Sequence, residues 1–120
     1  METGAMNCIV AFIRPFQLDA VVDELRHVHG FAGLSTSVVR GMGVSGAHPP
    51  RSGERGEVDP FEPMVRLELV CRAADVIGMV EAIQQAGRTG NSGDGKIFVG
   101  PVMLARRIRT GEWGEAALRP

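Results

Sequence analysis

The residues best equipped for chemistry lie in Arg88–Gly100, which reads RTGNSGDGKIFVG. Gly90, four residues, Gly95 and Lys96 satisfy the G-x-x-x-x-G-K part of the P-loop pattern, but Ile97 stands where the magnesium-binding Ser or Thr belongs. Gly90, Gly93 and Gly95 let backbone N–H groups approach an anion closely, and Lys96 adds a point charge beside them. Arg107 and Arg109 follow in RRIRTGE, two residues apart, so on an extended chain their side chains point the same way. Two aligned guanidinia and a lysine suit a polyphosphate, although a solvated turn can carry the same residues for no ligand at all.

The elements around this loop decide what kind of site it can be. A true P-loop runs strand, loop, helix, so that phosphate meets a helix N-terminus. Here the order is reversed: a helical pattern ends near Ala86, the glycines follow, and the strand KIFV comes out of them. A P-loop ATPase is excluded. Upstream, Asn7–Ile13 is apolar on both alternating sets, which suits a strand buried on two faces. RPFQLDAVVDELRHVHG then places Leu18, Val21, Val22, Leu25 and Val28 on one helical stripe, with Pro15 near its start and Gly30 past its end. Leu34–Gly41 and Met64–Cys71 read as the second and third strands, Ala73–Gly87 as a helix through Val76, Met79, Val80 and Ile83, and Lys96–Leu104 as the fourth strand. The order βαββαβ predicts an α+β, ferredoxin-like sandwich with both helices on one face of an antiparallel sheet. The other face is left bare while the first strand looks apolar on both sides, so burial against further copies of the chain is expected, with closed rotational symmetry as the usual arrangement.

A chain of 120 residues with 44% hydrophobic content is one domain's worth. Its net charge of −1 gives no nucleic-acid footprint, and apolar runs as short as Cys8–Ile13 cannot span a bilayer, so no nucleic-acid partner and no membrane insertion are expected. METGAM lacks the features of a signal peptide, which predicts a cytoplasmic protein. Cys8 and Cys71 sit inside apolar runs and read as free thiols acting as small hydrophobes. Between the second and third strands, Val44–Glu62 carries Gly, Pro and mixed charge with no apolar period. A loop of this length in so small a domain is a binding element or a tolerated insertion.

AFIRPFQLDAVVDEL, TGNSGDGKIFV and RIRTGEWGEAAL on this frame resemble the PII signal-transduction proteins, from Met6 to Leu118. The resemblance implies a homotrimer whose inter-subunit clefts bind ATP or ADP, with magnesium as an accompanying ion. A T-loop, residues 44–62, would dock onto an enzyme, a membrane transporter or a regulator. Carried over by position, Gly93, Asp94, Gly95 and Lys96 belong to the phosphate-holding B-loop (88–96), which begins at Thr89, and Arg107 and Arg109 of the C-loop (107–118) reach the phosphates from a neighbouring chain. Gly41, Met42 and Gly43 stand at the base of the T-loop, Ser35 stands where the family has a Thr near the adenine, and Glu68 and Val70 lie on the strand facing it. Arg51, Arg55 and Glu57 are the expected target contacts.

The departures matter equally. The chain has no tyrosine, so the uridylylated T-loop residue is missing and Glu57 sits at about its place, while Ser52 does not fall on the serine phosphorylated in other members. Ser45 replaces the Gln that helps hold magnesium and 2-oxoglutarate, Val44 the Arg before it, and Met64 the Lys that pairs with the oxoglutarate carboxylate. A divergent member without 2-oxoglutarate sensing is therefore expected, one tied to transport or to metabolism other than nitrogen assimilation. Two other classes remain open. One is a slow ATPase using Asp94 or Glu112 as base. The second is a metal-binding trimer using Cys8, His27, His29 or His48, against which stands the i,i+2 spacing of His27 and His29. Trp113 either covers the nucleotide cleft or packs the C-terminal segment.

Overall fold

The computed structural model describes residues 5–44 and 59–119. Strand β1 (Met6–Ile13) leads through a single 3-10 turn, Pro15–Gln17, into helix α1 (Leu18–Arg26). Strands β2 (Ser35–Gly41) and β3 (Glu62–Arg72) follow, then a second 3-10 turn, Ala73–Asp75, helix α2 (Val76–Gly87) and strand β4 (Lys96–Val102). A short 3-10 segment, Gly114–Leu118, lies near the end of the chain. All strand pairs are antiparallel in the order β2-β3-β1-β4. This is the α+β, ferredoxin-like arrangement that the alternation of periods predicts.

The period-2 pattern of the central strands explains the core. Ile9, Ala11 and Ile13 of β1 and Val65, Leu67, Leu69 and Cys71 of β3 are buried on one face, against Val21 and Leu25 of α1 and Met79, Ala82 and Ile83 of α2. Each fully buried Leu or Ile among them contributes roughly 1.5–3 kcal/mol. The other face carries Cys8, Val10 and Phe12 of β1, half-buried, and Phe98 of β4, 56% exposed. The two apolar sets of β1 thus have different fates, one sealed by helices and one left open. The helices do not reach the edge strand: Val38 of β2 pairs with buried Val65 yet is 78% exposed.

Several boundaries differ from the sequence reading. Both helical patterns begin as 3-10 turns, because Arg14 before Pro15 and Arg72 before Ala73 are held extended and the chain tightens as it leaves the sheet. Val28 lies beyond α1 in the turn that follows, though it still packs on the core. β3 is longer than read, and β4 stops at Val102, where its pairing with Met6 of β1 ends. Cys8 and Cys71 are free, on opposite faces of the sheet. Among the described residues no helix is long and apolar enough to cross a membrane.

Candidate functional site

The glycine loop joins α2 to β4, the reverse of the P-loop order. Gly90, Gly93 and Gly95 adopt φ of 90°, 90° and 105°, the left-handed region that a side chain rarely enters. At Gly95 the need for glycine is absolute: a Cβ there would lie 1.7 Å from the Phe12 carbonyl oxygen, so the loop rests directly on the end of β1. Asp94 holds the loop from within. Its carboxylate accepts from the backbone N–H of Thr89 (2.8 Å) and of Gly90 (2.9 Å), from the Thr89 hydroxyl, and from Arg14 Nε (2.9 Å). The Thr89 hydroxyl, followed by the Arg14 guanidinium, keeps this carboxyl well below the usual carboxylate range. Asp94 is therefore ionised and saturated, while Lys96 at the start of β4 is exposed.

A cleft of about 330 Å³ opens beside the loop on the open sheet face. One wall is Gly93, Gly95 and Lys96; the other is the start of the β2–β3 connection, Gly41, Met42, Gly43 and Val44, with Glu62 and Met64 of β3. Phe12 and Phe98 form the floor, edge to face with centroids 6.4 Å apart. Met64 fits closely against Gly41, where a Cβ would come within 3.2 Å of Met64 Cγ.

Ser35, Glu68 and Val70 form a separate, shallower cleft of about 430 Å³ with Gly33 and Leu34, near the start of β2, where Ser35 pairs with Glu68. Glu68 accepts from Arg66 Nη1 at 3.1 Å and from Cys8 Sγ at 3.6 Å. The Arg66 bond, then the Cys8 bond, lowers the Glu68 pKa; burial, then Glu68 itself, raises that of the Cys8 thiol.

Arg107 and Arg109 lie on a hairpin beyond β4 rather than on an extended strand. Gly114 N–H donates to the Ala105 carbonyl (2.9 Å), Arg107 N–H to the Glu112 carbonyl (2.9 Å) and Gly111 N–H to the Arg107 carbonyl (2.8 Å), Gly111 having a φ of 76°. This turn leaves Arg109 exposed, whereas Arg107 is half-buried, donates Nη2 to the Ala117 carbonyl (3.2 Å) and keeps Nε buried without a hydrogen bond. The two arginines thus do not form the aligned pair expected of an extended chain. Trp113 packs this hairpin, with the Arg106 guanidinium 4.6 Å from its ring centroid.

Residues 6–112 match the family model described as Nitrogen regulatory protein P-II. The chain is 44% identical over 113 residues to a Nitrogen regulatory protein P-II of Cereibacter sphaeroides, covering 94% of this chain and 100% of that one. The chain belongs to the P-II family. A relative from Azospirillum brasilense is 42% identical over the same shares, and a homolog from Arabidopsis thaliana is 38% identical over 91% of this chain and 56% of its own length. Among solved structures, Arabidopsis thaliana PII bound to citrate superposes with a TM-score of 0.78 at 32% identity, covering 98% of this chain and 93% of that one.

In this P-II chain the loop cleft gathers Gly41, Met42, Gly43, Gly93, Gly95 and Lys96. Thr89 and Asp94 support that cleft from inside the loop, and Ser35, Glu68 and Val70 line the other cleft. Arg51, Arg55 and Glu57, like Ser45, His48 and Ser52, lie outside the described residues. Sequence reasoning missed Arg14, whose pairing with Asp94 spans 80 positions. The one available signal was its place in RPF, where the following proline restricts the backbone to an extended shape. The carboxylates offered as an ATPase base are both engaged: Asp94 as above, and Glu112 by the Thr110 hydroxyl at 2.8 Å and Arg107 Nε at 3.7 Å. Of the histidines, His27 Nδ1 lies 2.7 Å from the Asp23 carbonyl and His29 Nδ1 lies 3.3 Å from Asp75, and among the described residues no three His, Cys, Asp or Glu side chains cluster to hold a metal ion.

Proposed function

We propose that this P-II family member is a homotrimeric sensor of ATP or ADP, with magnesium accompanying the nucleotide, that acts in the cytoplasm on a target protein through the segment 44–62. The observation that carries this reading is the separation of the site into parts. The loop cleft offers glycine amides and Lys96 for phosphates, whereas the Ser35–Glu68–Val70 cleft and the arginine hairpin are not among its lining. A second copy supplying the missing parts across the open sheet face completes both a base pocket and a polyphosphate cradle. The citrate carried by the Arabidopsis structure fits a fold that takes small polyanions. Arg107, half-buried, its Nε 3.7 Å from Glu112 and without a hydrogen bond, is placed to gain a charge-assisted partner from an anion. The target, whether enzyme, transporter or regulator, is met by Arg51, Arg55 and Glu57 in this reading.

Titration calorimetry with ADP tests the site. Arg107→Ala is expected to weaken binding by about 2 kcal/mol or more, since it removes one charge-assisted partner of the phosphates, while the oligomeric mass stays unchanged. Unchanged affinity would place the phosphates elsewhere.

A further inference from the structure

Arg14 is a charged side chain that reaches into the glycine loop from the first half of the chain. Its Nε lies 2.9 Å from Asp94 Oδ1, its Nη2 donates to the Ser92 carbonyl at 2.6 Å, and both side chains of the pair are only 21% exposed. The backbone before Pro15 is fixed at φ −68° and ψ 138°, which aims the guanidinium at the loop. It is bounded on one side by the Phe16 ring, 6.0 Å away, and on the other by Gly93, where a Cβ would come within 3.2 Å of Nη2. Nε and Nη2 of the guanidinium thus both donate to the loop. Lys96 at the cleft wall, by contrast, is free of the loop interior.

We propose that Arg14 is a positioning residue for phosphate binding: by clamping Asp94 inside the loop it neutralises that carboxylate and presets the backbone of residues 88–95 to receive an anion. This rests on the nucleotide reading above. With Thr89 and Gly90 N–H spent on Asp94, and Asn91 N–H on the Thr89 hydroxyl at 3.3 Å, the incoming anion is left to the glycines further along the loop and to Lys96. An unclamped Asp94 would instead present a negative charge where phosphate arrives, and two like charges at close range repel strongly once water is displaced. Arg14 acts through Asp94 and need not touch the nucleotide.

The test compares Arg14→Met and Arg14→Lys with the unsubstituted protein, using ADP and adenosine as ligands in calorimetry and amide hydrogen exchange on the ligand-free protein. Arg14→Met is expected to weaken ADP on the order of tenfold, the scale of one charge-assisted bond, and to leave adenosine binding unchanged. Exchange at Thr89–Gly95 should accelerate. Arg14→Lys should recover part of the ADP affinity, and adding Asp94→Asn to Arg14→Met should recover part as well by removing the exposed charge. Equal losses for ADP and adenosine, unchanged ADP affinity, or unchanged loop exchange would each overturn the clamp. Failure of the unsubstituted protein to bind ADP would instead overturn the nucleotide reading, and the exchange comparison would still decide whether Arg14 holds the loop.

Discussion

At Gly95 two constraints coincide, a left-handed backbone and a carbonyl oxygen directly beneath it. Gly95→Ala is therefore expected to cost at least about 1–3 kcal/mol of stability and to abolish ADP binding, checked by urea denaturation and calorimetry on the same sample. Met64 sets the chemistry of the opposite wall. An apolar thioether packed on Gly41 cannot pair with a carboxylate, and an anion set against it would lose water without gaining a partner. Calorimetry on the protein saturated with MgATP should thus show no 2-oxoglutarate binding. Heat at micromolar ligand would mean that another side chain holds the carboxylate.

Between elements, the counterpart of the Arg14–Asp94 pair is Asp75, which joins the end of β3 to the turn after α1. It accepts from Arg72 Nε at 2.9 Å, lies 3.3 Å from His29 Nδ1, and faces Gly30 so closely that a Cβ there would lie 2.0 Å from Asp75 Oδ2. Gly30, with a φ of 86°, is thus tied to a glycine by strain and by space, and Gly30→Ala should destabilise the fold by about 1–3 kcal/mol. The Arg72 bond, ahead of His29, lowers the Asp75 pKa; Asp94, Glu68 and Asp59 are shifted the same way. A carboxylate depressed in the folded state contributes stability above its unfolded pKa of about 4, and that contribution is lost as pH falls through the folded value. The denaturation midpoint should hold steady from about pH 7 to 5 and drop below about pH 4. Asp75→Asn should shrink that acid-side drop.

For the whole molecule, the apolar surface that one chain leaves bare predicts its assembly. Phe98 is 56%, Met103 89%, Leu104 53% and Ile108 102% exposed, and Val10 and Phe12 are covered only in part. Exposed apolar side chains of this size mark an interaction surface where they adjoin one another. Light scattering at micromolar concentration should give the mass of three chains, and Phe98→Glu should lower it; the mass of one chain would remove the inter-subunit site.

How far the sequence reaches depends on the range of the force being read. The six main elements and their order were legible, because burial on one face imposes a period of 2 or 3.6 on neighbouring residues, and so was the glycine loop between helix and strand, because glycines declare a turn locally. Element ends were less so: β4 stops at Val102, where its pairing with Met6 of β1 ends, and the arginines after it turn because Gly111 closes a hairpin. By itself, then, the sequence determined the βαββαβ frame, the reversed glycine loop and the absence of a tyrosine or of a lysine at Met64. Only the tertiary structure decided that Asp94 faces inward to Arg14, that Asp75 is buried against Gly30, and that the residues proposed for the nucleotide site fall, within one chain, into separate clefts. Such pairings join residues tens of positions apart, and hydrogen bonds and steric fits of that kind leave no period in the sequence from which to read them.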